Sequence, residues 1–317
     1  METNKIRNEK LFMLSNEIFP DSILPFGRNE LQRDVRLTGE VKIEGGIFCK
    51  NLDIEGSDVF IQKSVYAEDT ISVSLPKPGY VWFNSPVGAG HSILRKDNSE
   101  GRLRFSHSVD AKILNLNNTI VYGNIMADNI ILNNSIVLGG VFCAGTLEIS
   151  DSIVGTYNSV DVVQKGKLGI MYPLAISKNK PDINENLYIL IPDGFSNGMK
   201  NIYKITQDDF YTFTGEKGKV HLFSNSMRIF DMHKYSSVLL GNLIKLLENN
   251  YSEDGKFEQV RNFLSDFDND YFNVLERGFK PVGKSLFSEF MKVPEDTIKE
   301  FMTNEKGMSD KTLEAVS

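Results

Sequence analysis

A nine-residue phrase recurs six times between residues 41 and 143, and it limits the possible folds more than any other feature of the chain. It opens on an apolar or small residue, has apolar residues at its third and seventh places and closes on a small one. Its occurrences are Val41-Ile43-Ile47-Cys49, Val59-Ile61-Val65-Ala67, Val81-Phe83-Val87-Ala89, Leu103-Phe105-Val109-Ala111, Thr119-Val121-Ile125-Ala127 and Ser135-Val137-Val141-Cys143. They start 18, 22, 22, 16 and 16 residues apart. A second apolar pair follows each phrase: Leu52/Ile54, Ile71/Val73, Ile93/Leu94, Leu114/Leu116, Ile130/Leu132 and Leu147/Ile149. Self-similarity at such a period marks a stacked repeat architecture.

Two residues spaced by two fall on one face of a strand. Three such pairs per unit, separated by Gly, Asn, Asp or Ser, predict three short strands joined by corners. Gly45, Gly46, Gly123, Gly139 and Gly140 fall at corners, where positive φ is open to glycine. The closing residue, always Ala or Cys, suits a tight corner inside the coil. Equivalent residues of stacked units then form ladders, so the pattern predicts a triangular β-solenoid of about six coils, roughly 25–30 Å long. The last coil gains one residue near Phe142, and the 22-residue spacings predict loops at a corner near Pro76–Gly79 and Asp97–Gly101. Trp82, the only tryptophan, lies between inward Val81 and Phe83 and should point outward, as a contact site or under another segment.

A chain of 317 residues leaves room for two or three units. Its 41% hydrophobic and 24% charged residues are those of a globular protein, not of a disordered chain or a coiled coil. A net charge of −7 disfavours general polyanion binding. The two cysteines are too few for a disulfide framework or a thiolate zinc site, and both occupy the small inward slot. Met1–Phe19 reads as an amphipathic helix packed on the body, without the apolar core of a secretory signal. No stretch has the ~18 uninterrupted apolar residues of a membrane span. The expected compartment is the cytoplasm.

From about Arg36 to Gly155 the chain resembles the bactofilins, bacterial polymer-forming cytoskeletal proteins. The resemblance rests on Leu37-Thr38-Gly39-Glu40-Val41-Lys42-Ile43-Glu44-Gly45 and Asn124-Ile125-Met126-Ala127-Asp128-Asn129. It implies a right-handed triangular β-helix that needs no nucleotide and assembles end to end. The end-coil residues Val41, Ile43, Leu147 and Ile149 are then the expected self-association contacts. A folded neighbour on an end would cap the exposed sheet edge and stop growth.

Pro173 and Pro181 bracket a linker. Tyr188–Ile191, Ile202–Ile205, Phe210–Phe213 and Val220–Phe223 read as strands, with a hairpin turn around Gly215 and Gly218. From Tyr235 the period becomes helical. Val238, Leu239, Leu243, Leu246 and Leu247 mark one helix, and Phe257, Val260, Phe263, Leu264 and Phe267 a second. Leu286–Met291 forms a third, and Pro294 opens a fourth through Phe301. The interval Glu248–Glu276 is strongly acidic and reads as a solvated helix face. Residues 284–317 resemble a phage-repressor-type helix-turn-helix, but Glu295, Asp296 and Glu300 in the recognition position would be repelled by phosphate.

Several motifs look chemical. Gly278 to Ser285 matches a P-loop, but no buried strand precedes it and too little chain follows. Asp266, Asp268 and Asp270 open a calcium-loop pattern, but Tyr271 and Arg277 occupy the glycine and bidentate-glutamate places. His91 and His107 evoke the general base of β-solenoid acyltransferases, whose strict six-residue period this chain lacks. The sequence therefore predicts four regions: a helical or irregular segment (1–35), the solenoid (36–178), a β-rich connector or cap (179–234) and an α-helical domain (235–317). The expected function is a non-enzymatic scaffold without cofactor or metal. It would self-associate through the solenoid and recruit a further protein through the helical domain. DNA and membranes are disfavoured as partners. Two alternatives remain: a regulator with a DNA- or protein-binding tail and an oligomerising solenoid, and an acyltransferase-like enzyme.

Overall fold

The computed structural model describes residues 11–25, 33–75, 79–97, 99–171, 174–184, 186–190, 202–205, 210–215 and 218–224. Alternating inward and outward residues give these segments strands rather than helices, and 23 strands join in one continuous sheet. The sheet coils into a parallel β-solenoid of about eight turns. Each turn contributes a rung to three walls in chain order, seen in Val41–Ile43, Ile47–Cys49 and Leu52–Ile54.

The strand register reproduces the repeat phrase by phrase. On the first wall, Val41 pairs with Val59, Val59 with Val81, Val81 with Leu103 and Leu103 with Thr119, and Val121 then pairs with Val137. The inward residues form one continuous core. Within it, Phe83 and Phe105 of successive rungs stack at 5.0 Å between ring centroids, 6° from parallel. Burying each aliphatic side chain contributes about 1.5–3 kcal/mol. The closing Ala and Cys residues are buried where the second wall turns into the third. The added residue of the 130–147 coil falls after Cys143, since Ala127 pairs with Cys143 but Ile130 with Leu147.

The coil also extends beyond the six repeats at both ends. Leu11–Phe19 is a strand in parallel register with Asp34–Ile43, not a helix. It alternates Phe12 and Leu14 inward, and pairing supplies a period of two that its charged residues obscure in the sequence. Ser152–Gln164 and Leu168–Ile170 add further rungs, and Leu187–Leu190 continues the first wall beside Leu168–Ile170. Val41, Ile43, Leu147 and Ile149 therefore lie within the stack, not at its ends, and all four are buried in the core.

Two further expectations change. Among the described residues, the corner glycines are not used for positive φ; Gly39 is the one glycine that adopts it. Gly45, Gly123 and Gly139 are needed for close approach instead, since a Cβ there would lie 2.4–2.5 Å from backbone of a neighbouring coil. The left-handed corner belongs to Asn118, Asn134 and Asp151, stacked between the third and first walls with φ of 48°, 44° and 44°. Asn and Asp tolerate this region best among residues with a side chain. A buried hydroxyl column, Thr119, Ser135 and Ser152, follows it. Each hydroxyl donates to the carbonyl two residues back, that of Asn117, Asn133 or Ser150.

The second change is at Ile93/Leu94. Register places Arg95 opposite inward Val73, and Leu94 in the outward column with Ser72. Arg95 is buried and pairs with Asp97 at 3.1 Å, while donating to the carbonyls of Asn117 and Ser99. Asp97 also accepts the backbone N–H of Leu75, tying together the two corner loops foreseen after Val73 and after Arg95.

At the C-terminal end the strand direction reverses. Ile202–Ile205 runs antiparallel to Leu187–Leu190 on the first wall. Gly218–Ser224 runs antiparallel to Leu174–Ser177 on the second, and it forms a hairpin with Tyr211–Gly215 in which Gly215 faces Gly218. The last edges of two walls are thus occupied by strands that cannot continue the parallel coil.

Candidate functional site

Because inward positions are consumed by the core, the described walls offer other molecules only their outward columns. The three walls carry very different ones.

On the first wall the outward column runs Phe60, Trp82, Arg104, Ile120, Ile136, Ile153, and all six are buried. Trp82 points outward as its neighbours require, yet only 1% of its surface is exposed, so it is not a free contact site. Its indole meets Phe60 edge-on at 4.9 Å and donates to Ser106 Oγ at 2.7 Å. Arg104, 0% exposed, sets its guanidinium 5.0 Å over Trp82 and 4.3 Å over Tyr122, and donates to the Tyr80 hydroxyl at 3.4 Å. Aromatic faces attract the cation and spread over its weakly hydrated plane, which favours Arg over Lys here.

The second wall is the reverse. Its outward column reads Leu24, Phe48, Tyr66, Gly88, Asp110, Met126, Phe142, Asn158 down successive rungs. Leu24, Phe48, Tyr66, Met126 and Phe142 are exposed, Met126 at 55% and Phe142 at 39%. Between the upper and lower aromatics the column narrows to Gly88 and Asp110, and the Tyr66 ring leans over Gly88. A groove of about 610 Å³ opens there and reaches over the corner to Lys112 and Asp128. Nothing in the sequence marked this column, because lone outward residues between core positions look like ordinary surface.

The third wall is mixed: its outward column runs Asp53, Ser72, Leu94, Asn115 and Ile131, with Ile131 39% exposed and charges gathered around Asp53. Asp53 joins Arg36 at 3.3 Å and Lys96 at 3.1 Å, and accepts the Ser72 hydroxyl. Burial pushes its carboxyl up, but Ser72, Lys96 and Arg36 outweigh that and hold it below the usual range.

The remaining candidates read from the sequence are not assembled into a chemical site among the described residues. His91 is exposed at the corner between the second and third walls, and His107 is half-buried at the corner between the first and second. Cys49 and Cys143 are buried free thiols. Burial, aided by Asp34, pushes Cys49 up to about 12, and burial likewise raises Cys143. No group of three His, Cys, Asp or Glu residues is placed to hold a metal among the described residues. Nor does a described helix reach the length and apolarity of a membrane span. The P-loop-like, calcium-loop-like and helix-turn-helix-like stretches, and the helices expected from 235 onward, lie outside the described residues. Comparison with known protein families, curated proteins and solved structures returns no match.

Proposed function

We propose that the chain is a non-enzymatic, bactofilin-like scaffold that self-associates sideways, through the second wall of its solenoid, rather than end to end. The exposed second-wall column carries this reading. Counted from its middle, the column is nearly symmetric in size: Phe48 and Tyr66 above, Gly88 and Asp110 at the centre, Met126 and Phe142 below. A two-fold axis through the centre brings Phe48 of one copy to Phe142 of the next and Tyr66 to Met126. Two ladders of the same ~4.8 Å pitch then meet rung against rung. Growth from the C-terminal end is opposed by the antiparallel strands on Leu174–Ser177 and Leu187–Leu190.

The contact is about 24 Å long at that pitch, at the small end of specific interfaces, so association in the micromolar range is expected. Sedimentation velocity over a micromolar concentration series tests it. The wild type is expected to form dimers and Phe142→Glu to remain a monomer with unchanged far-UV circular dichroism. A wild type that stays monomeric throughout, or that forms filaments under the electron microscope, overturns the proposal.

A further inference from the structure

A second outward column borders the groove of the second wall. It lies at the corner where that wall turns into the third, one residue after each closing Ala or Cys, and reads Lys50, Glu68, Gly90, Lys112, Asp128, Ala144. Glu68 and Gly90 donate their backbone N–H groups to Cys49 and Ala67 of the preceding coil, and Asp128 donates to Lys112, so these positions stack rung on rung. Lys50, Glu68, Lys112 and Asp128 are all exposed. No ion pair among the described residues uses any of them. Their charges are therefore available to a neighbouring molecule, and Lys112 and Asp128 already line the groove.

From Lys50 to Asp128 the signs run plus, minus, neutral, plus, minus, an order that inverts about Gly90. A two-fold axis along the strands, through the rung of Gly88 and Gly90, reverses the solenoid axis and keeps each strand position opposite its counterpart. It sets Lys50 opposite Asp128 of the second copy and Glu68 opposite Lys112 of the second copy. The size-matched register, one rung away, instead sets Glu68 against Asp128, like charge against like. Apolar contact survives the shift: Phe48 meets Met126, Leu24 meets Phe142, the Tyr66 hydroxyl comes to Asp110, and Gly88 faces itself. We propose that this charge column aligns the two copies, holding them in the register centred on Gly88 until salt releases them to the size-matched one. The proposal rests on self-association through the second wall and adds what fixes its alignment. Exposed ion pairs are individually weak, but here several act together. Their screening length falls from about 10 Å at 0.1 M salt to about 3 Å at 1 M.

Charge reversal separates the two registers by sign. Glu68→Lys opposes Lys112 in the charge-matched register but attracts Asp128 in the size-matched one. Sedimentation velocity of the full-length protein at ~50 mM and ~1 M sodium chloride reads the outcome. At the lower salt, Glu68→Lys and Lys112→Glu are each expected to weaken dimerisation roughly tenfold, and the two substitutions combined in one chain to restore most of it. At the higher salt the wild type and all three variants should associate alike. A Glu68→Lys protein that dimerises more tightly than the wild type at low salt overturns the proposal. So does a wild-type dimer whose affinity none of the variants changes. Both of those results leave association through the second wall standing. A wild type that is monomeric at both salts removes that association, and this proposal with it.

Discussion

The first and second walls present their outward columns at the same pitch and on the same repeat, yet Trp82 keeps 1% of its surface in solvent and Met126 keeps 55%. Both residues are large, both sit between two core residues, and both point outward. The strand period decides which residues leave the core; it does not decide whether they meet water. On the first wall the outer aromatics and Arg104 behave as a second core, while on the second wall they remain a surface on which another molecule can bind. Outward position and exposure are separate properties in a solenoid, and neither implies the other.

The sharpest test of that contrast is truncation on the two walls. Trp82→Ala should lower unfolding free energy by about 3–5 kcal/mol, the cost of emptying a packed aromatic site. Phe142→Ala should change it by no more than about 0.5 kcal/mol, as for an exposed residue. Urea denaturation of the two variants decides it: equal losses would erase the distinction between the walls.

A second test separates the polar corner from both. Asp97 is pushed up by burial but drawn down further by the Leu75 and Ser99 N–H groups and by Arg95, to about 2. A carboxyl held lower in the folded protein than in the unfolded chain stabilises above the ordinary carboxylate range, and that contribution is lost as pH falls through about 2. Asp97→Asn should therefore lower the melting temperature at neutral pH and flatten the acid limb of a stability–pH curve. A parallel shift at every pH would show that Asp97 does not titrate with folding.

Smaller effects sharpen the description of the corners. Asn134→Ala should cost about 1 kcal/mol, because alanine disfavours the left-handed backbone held there, and Asn134→Gly should cost less. In native protein Cys49, with its thiol at about 12, should resist alkylation at pH 8 until denaturant is added. Rapid labelling without denaturant would place it outside the core.

Much of the solenoid was legible because its repeat is written in inward residues. Val41, Val59, Val81, Leu103 and Thr119 stack in the register that their spacing predicted. Reading failed where the inward slot is not apolar. Arg95 occupies such a slot, so the apolar pattern selects the neighbouring Leu94 instead. In the 153–164 coil, inward Tyr157, Ser159 and Gln164 disguise a regular turn. The first strand is hidden in the sequence because Ser15, Asn16 and Glu17, which include a left-handed Asn16 and a register shift, break its alternation. The second-wall column was invisible for another reason: its residues become neighbours only after coiling, at separations of 16 to 24 in sequence.

Those same separations govern how the chain can reach its folded state. Every parallel rung joins residues 15 to 24 apart, so no step in building the coil requires a distant search. Closing a 22-residue loop rather than a 16-residue one costs only about 0.3 kcal/mol more in chain entropy. Assembly can start wherever rungs pair first and zip outward in both directions. The short 16-residue coils from Leu103 to Val137, free of corner insertions, are the natural starting point. The antiparallel strands at the end then form last, closing a structure whose length is already set.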